Sequence, residues 1–189
     1  MCSSDLAMQE AMAELGSRFT HQHGIQFALR VGINTGEVLA GTVGDAYTVM
    51  GDAVNVASRL EGQTKYYGIP VIIGSRTAEK VSEKFAILEL DLITVKGKTE
   101  PEAIYTVLGR EEVAGDIRFQ ELRKVYSTML YSYRSRDWEG ALEALQVCRS
   151  FDRDFGLEAL FDLYRARVQA FSEVAPPADW NGVFVAETK

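Results

Sequence analysis

Asn55 and Arg59 stand four residues apart in Gly51-Asp52-Ala53-Val54-Asn55-Val56-Ala57-Ser58-Arg59, directly after a run, Tyr47–Met50, that reads as a strand. On a helix that spacing puts two side chains on one face, close enough to share a ligand. An amide that orients a bound group, set beside a permanent cation, suits the stabilisation of charge developing on phosphate. The plainer reading is a surface helix with Asp52 as its N-cap and Arg59 in solvent. His21 and His23 are spaced for a metal, but they precede Gly24 where a helix should end. Histidines in a last turn before a capping glycine make an ordinary helix terminus. Val95-Lys96-Gly97-Lys98, taken alone, is a basic turn between strands.

The Asn55/Arg59 pair needs a rigid helix, and the pattern predicts one from Ala53 to about Lys65. Upstream, Leu6 to Phe19 reads as an amphipathic helix with Ala11, Leu15 and Phe19 on one stripe. Ile25, Phe27, Leu29, Val31 and Ile33 then alternate with more polar neighbours, the period of a half-buried strand. Asn34-Thr35-Gly36 is a turn signal that would return the chain from Val38 to Val43 as the second strand of a hairpin. Gly44-Asp45 is a second tight turn leading into Tyr47–Met50. Downstream, Val71-Ile72-Ile73 is a strand, and Ser75 can N-cap a helix to about Lys84. Ala86–Leu90, Ile93–Lys96 and Ala103–Leu108 read as further strands. Helices interleaved with hairpin strands predict an α+β sandwich, with helices packed on an antiparallel or mixed sheet.

After Gly109 the composition changes. Glu111 to Asp116 reads as a polar linker, followed by a helix carrying Phe119, Leu122, Tyr126, Met129, Leu130 and Tyr133. A second helix, N-capped by Asp137, carries Trp138, Leu142, Leu145 and Cys148. A third carries Leu160, Phe161, Tyr164, Val168 and Phe171, and Pro176-Pro177 stops it before a short tail. The helical pair weakly resembles a tetratricopeptide hairpin, but one unit makes no array. The expected division is therefore residues 1–110 and a helical extension over 111–189.

At 189 residues the chain suits one domain plus an appendage. Hydrophobic residues make up 47% and mean hydropathy is −0.08, as for a soluble globular protein. It has no apolar run of about 18 residues, so no membrane span is expected. Met1-Cys2-Ser3-Ser4-Asp5 lacks the basic start and apolar core of a signal peptide. A net charge of −7 and a pI near 5.0 disfavour a nucleic-acid partner. Cys2 and Cys148 have neither zinc nor redox spacing, which fits a reduced cytoplasmic compartment without a disulfide.

Three stretches, Leu29–Val38, Tyr47–Glu61 and Val95–Pro101, together resemble the class III adenylate/guanylate cyclase catalytic domain and occur in that family's order. The resemblance implies the C-terminal portion of a bacterial-type adenylate cyclase: a ferredoxin-like α+β sandwich lacking its first strands, followed by an all-α segment. It implies conversion of ATP to 3′,5′-cyclic AMP and pyrophosphate, in cyclic nucleotide signalling, with Mg2+ or Mn2+ as cofactor. Asn55 aligns with the amide that orients the ribose, and Arg59 with the arginine that stabilises the pentavalent phosphorus. Lys96 aligns with the lysine on the terminal phosphates, with Lys98 a second candidate. Thr48 aligns with the purine reader, and its hydroxyl can donate and accept, favouring ATP over GTP.

The departures from the family pattern shape the expectation. The family's two metal-binding aspartates belong to segments that would precede Met1, so no residue here is assigned to metal. Asp5, Glu10 and Glu14 are the carboxylates ahead of Arg30, and none lies in such a motif. Gly51-Asp52 is read as a helix cap and Gly44-Asp45 as a turn. That turn is shorter than in relatives, where the hairpin reaches toward a dimer partner. Sites of this family form between two chains, head to tail. The resemblance therefore implies a chain inactive alone, a homodimer or strand-swapped oligomer, and a cytoplasmic location with any membrane tether supplied upstream. The alternative is a non-catalytic cyclase-homology module that regulates or dimerises. A third reading makes residues 116 to 175 a helical scaffold for a partner.

Overall fold

Gly24, with φ of +68°, ends the opening helix α1 (Cys2–His23), its amide donating to the Thr20 carbonyl at 3.0 Å. His21 and His23 fall in that last turn, as the sequence predicts. The computed structural model describes residues 2–24, 29–95 and 100–186. Beyond α1 come β1 (Val31–Ile33), β2 (Leu39–Val43), β3 (Ala46–Met50), α2 (Asp52–Tyr67), β4 (Val71–Gly74) and α3 (Ser75–Val81). The long hairpin β5 (Phe85–Val95) and β6 (Glu102–Arg110) follows. Next are α4 (Glu111–Ala114), α5 (Ile117–Arg134), α6 (Trp138–Cys148), α7 (Asp152–Phe155), α8 (Glu158–Glu173) and β7 (Phe184–Ala186).

Five strands form one mixed sheet in the order β1-β4-β6-β5-β7, and β2 with β3 forms a separate two-stranded sheet. This is the expected α+β class. Val71 and Ile73 of β4 join one apolar cluster and Ile72 the other, as in a strand buried on both faces. The smaller cluster gathers Ile33, Ala78 and Val107, with Leu6 of α1 against it. The larger one starts from Val56, Leu60 and Tyr67 on α2 and continues through Leu88, Leu90 and Ile93 of β5. From there it runs into Tyr126, Leu145, Phe161 and Tyr164 of the C-terminal helices. The aromatic stripes of the extension are thus core, and Asp137 caps α6 by accepting from the Gly140 amide at 3.0 Å. Cys148 is a free thiol inside this core, where burial pushes it up to about 12.

Several local expectations are corrected. Of the strand expected over 25–33, Ile25 to Ala28 lie outside the described residues, and the strand observed is Val31–Ile33. It does not form a hairpin with β2. It pairs in parallel with β4, Val31 opposite Val71, after the crossover through α2. β2 pairs instead with β3 across Gly44-Asp45. A two-residue turn with φ of +61° at Gly44 matches the twist of the paired strands, and the longer Asn34–Val38 connection has no such advantage. The N-cap of α2 is Gly51, not Asp52, and that of α3 is Gly74, not Ser75. Ser75 Oγ donates to Glu102 Oε1 at 2.8 Å instead. The strands expected at Ala86–Leu90 and Ile93–Lys96 are one strand as far as Val95, with Lys96 outside the described residues; its register shifts between Ala86 and Ile87 and again between Glu89 and Asp91, where Asp91 interrupts the apolar alternation. Glu111–Ala114 is a short helix rather than an open linker, and the tail after Pro176-Pro177 returns as β7, parallel to β5.

α2 sits on β1 because Gly32 has no side chain. A Cβ there would stand inside the 3.0 Å limit that real Cβ atoms respect, against the Ala57 carbonyl and the Glu61 amide.

Candidate functional site

The site is built where β3 turns into α2. Gly51 adopts φ 150° and ψ 165°, a conformation that residues with a Cβ rarely take. Its carbonyl accepts from the Val54 amide at 3.1 Å and the Asn55 amide at 3.3 Å, fixing the first turn. Asp52 is therefore the first helical residue, where a carboxylate favours the positive end of the helix dipole.

Val56 and Leu60 anchor α2 in the core, and that sets the other faces. Asn55 is exposed and Arg59 half-buried on the stripe beside the buried one. Among the described residues neither the amide nor the guanidinium has a hydrogen-bond or ion-pair partner. By contrast Arg30, Arg110, Arg118, Arg134, Arg149, Arg165 and Arg167 all bridge to carboxylates. Thr48 is half-buried on β3, and its cross-strand partner is Gly41, which contributes no side chain. Thr48, Asn55 and Arg59 thus lie on one continuous strand-to-helix segment. Lys96 and Lys98 lie outside the described residues.

A cavity of about 620 Å³ opens at the start of α2, with Asn34, Thr35, Asp52, Ser75, Arg76 and Glu100 on its walls. Asn34 Nδ2 donates to the Ala53 carbonyl at 3.3 Å, and the Thr35 and Thr77 hydroxyls lie 2.9 Å apart. The sequence reads Asn34-Thr35-Gly36 as a turn within the Leu29–Val38 motif and gives Arg76 no role. What brings them together is the parallel pairing of β1 and β4, whose ends meet beside α2. A smaller cavity of about 260 Å³ on the same helix is lined by Asp5, Gly32, Ile33 and Ala57. Asp5 is buried there with Oδ2 unpartnered, and burial pushes its carboxyl above the ordinary 3.8.

The family described as the adenylate and guanylate cyclase catalytic domain matches residues 1–109. The chain belongs to that family. The chain is 35% identical over 125 residues to a terminal-differentiation specific adenylate cyclase of Dictyostelium discoideum, covering 62% of this chain and 6% of that one. It is 38% identical over 113 residues to an adenylate cyclase of Anabaena cylindrica, covering 54% of this chain and 22% of that one. The chain therefore spans a small part of these relatives' length. Among solved structures, the adenylyl cyclase CyaB from P. aeruginosa superimposes with a TM-score of 0.50 at 30% identity, over 56% of each chain. The family match stops at the end of β6, so α4 to α8 and β7 lie beyond it.

Members of this family use Mg2+ or Mn2+. Among the described residues no three His, Cys, Asp or Glu side chains gather as a metal site. No helix among the described residues is long and apolar enough to cross a membrane.

Proposed function

We propose that this chain contributes the nucleotide-orienting and charge-stabilising half of an adenylate cyclase site. The reaction is conversion of ATP to 3′,5′-cyclic AMP and pyrophosphate. One observation carries the reading: Asn55 and Arg59 stand unpartnered on one stripe of a helix whose entry is locked by Gly51, directly after Thr48. The Asn55 amide holds the ribose so that its 3′-oxygen faces the α-phosphorus. A bond forms there as the 3′-hydroxyl gives up its proton to solvent, while the bond to the bridging oxygen breaks and pyrophosphate leaves. Arg59 neutralises the charge gathering on the phosphoryl oxygens, a contribution of about 10²–10³ in rate for a single well-placed donor. Thr48 meets the adenine edge, and Lys96, with Lys98 second, holds the terminal phosphates. The carboxylates for the divalent ion come from another segment or chain. This makes the 189-residue chain inactive alone and its site shared across a dimer.

The test mixes the chain with a separately produced cyclase segment that bears the metal carboxylates. Cyclic nucleotide is measured with Mn2+ and either ATP or GTP. Activity should appear on mixing, favour ATP, and fall about 10²–10³-fold with Arg59→Ala. Robust cyclic AMP formation by the chain alone overturns the division of labour, and activity indifferent to Arg59→Ala overturns the role of Arg59. A second reading makes the chain a cyclase-homology module that regulates or dimerises without turnover. That reading predicts no product in any mixture.

A further inference from the structure

A charged pair lies buried where the extension meets the cyclase portion. Asp91, at the register shift of β5, is 0% exposed. Its Oδ2 accepts from the Tyr67 hydroxyl at 2.7 Å and from Arg167 Nη1 at 2.6 Å, and its Oδ1 from the Leu92 amide at 2.8 Å. The Arg167 side chain is only 10% exposed. Its guanidinium lies 4.2 Å over the Phe184 ring and donates to the Tyr66 hydroxyl at 3.2 Å, while Phe184 stacks on Tyr66 at 4.8 Å. Burial works against the charge on Arg167, but Asp91, helped by Tyr164 and Tyr67, outweighs it and raises its pKa.

This hub ties three parts of the chain together. Tyr66 and Tyr67 form the last turn of α2, Asp91 belongs to the sheet, and Arg167 and Phe184 come from α8 and β7. The start of α2 is fixed by Gly51 and its middle by Gly32, so the hub governs the remaining end. Tyr67 is eight residues beyond Arg59, about 12 Å along one rigid helix. A buried ion pair contributes little net stability over an apolar packing, yet losing one partner leaves an uncompensated charge. Its geometric effect is what distinguishes it here.

We propose that the C-terminal helical segment sets the position of α2 through a buried clamp, Arg167–Asp91–Tyr67, which makes Arg167 a positioning residue for the face that carries Asn55 and Arg59. The clamp rests on the proposed function only for what that face does. Because the coupling is reciprocal, a change at either end is felt at the other.

The test is residue-resolved amide hydrogen exchange on the 189-residue chain. Arg167→Met should speed exchange over residues 60–67 of α2 by about tenfold or more relative to the β4–β6 ladder. Arg167→Lys, which keeps a charge on Asp91, should have a smaller effect in the same place. Tyr67→Phe removes one hydroxyl and should reciprocally loosen α8 around Arg167 and the β7 pairing. Tyr164→Phe deletes a different hydroxyl of the hub, the one donating to the Leu90 carbonyl at 2.7 Å, and should affect α2 no more than the sheet. Equal acceleration of α2 and the sheet in Arg167→Met overturns the clamp, as does a Tyr67→Phe chain with α8 and β7 unchanged. Should Arg167→Met fail to fold, Arg167→Lys and Tyr67→Phe decide by the same comparison. A cyclase assay indifferent to Arg59 leaves this result standing, and a negative exchange result leaves the role of Arg59 standing.

Discussion

Gly32→Ala is the substitution that tests how α2 is held. The added methyl points into the backbone of α2, at the Ala57 carbonyl and the Glu61 amide, and neither can rotate away as a side-chain tip would. Reaching the 3.4 Å of an ordinary contact requires α2 to lift off β1 by roughly 1 Å. Overpacking of this kind costs about 1–3 kcal/mol, and a backbone obstacle places the expectation at the upper end. Most of that cost should appear as a lower urea midpoint with an unchanged slope, because the surface exposed on unfolding stays the same. The same displacement moves Arg59, and a misplacement of about 1 Å can cost 10²-fold in rate. The complemented cyclase assay should therefore show a loss in kcat at temperatures where the variant is still folded. An unchanged urea midpoint would refute the close approach itself. A lowered midpoint with full activity would refute the claim that the seat of α2 controls the site.

Asp5→Asn tests the buried carboxyl. Its folded pKa lies above the unfolded 3.8, so its contribution to stability is full below that value and is lost as pH rises through the folded one. The amide cannot ionise, so Tm should exceed that of the unsubstituted chain at pH 7, with the gap closing toward pH 3. An equal Tm at pH 7 counts against burial of the charge. The β2–β3 hairpin is bare on both faces, with Leu39 77% and Tyr47 74% exposed, and a two-stranded sheet is marginal alone. Leu39→Asp with Tyr47→Asp should shift sedimentation toward the monomer. A chain that is monomeric at every concentration before substitution removes the hairpin as a contact.

The helix bearing Asn55 and Arg59 was legible because its signals are local: a glycine at the entry, a four-residue spacing, apolar residues on one face. The aromatic stripes of α5 and α8 were legible for the same reason. The pairing of β1 was not, since its partner Val71 lies beyond an intervening hairpin and helix, and nothing in Ile25–Ile33 names a parallel neighbour. Asp91 looked like a gap between two strands because a buried carboxylate breaks the alternation that marks a strand. Its justification, Arg167, belongs to a distant helix. Phe184–Ala186 is too short to show a period and becomes a strand only because β5 offers it an edge. Arg76 and Thr35 reach the cavity by topology alone.

The clamp also sets an order of events during synthesis. Asp91 and Arg167 are 76 residues apart in sequence. At about 5–20 residues per second the aspartate emerges some 4–15 s before its cation. Throughout that interval the cyclase portion can form its β1–α2–β4 unit from neighbouring residues, but it carries a carboxylate with no counter-charge and a Leu90 carbonyl still waiting for Tyr126 and Tyr164. The growing chain cannot close its larger core until Val168 of α8 has been made. The stretch that the family match leaves out is the one that seals the part it covers.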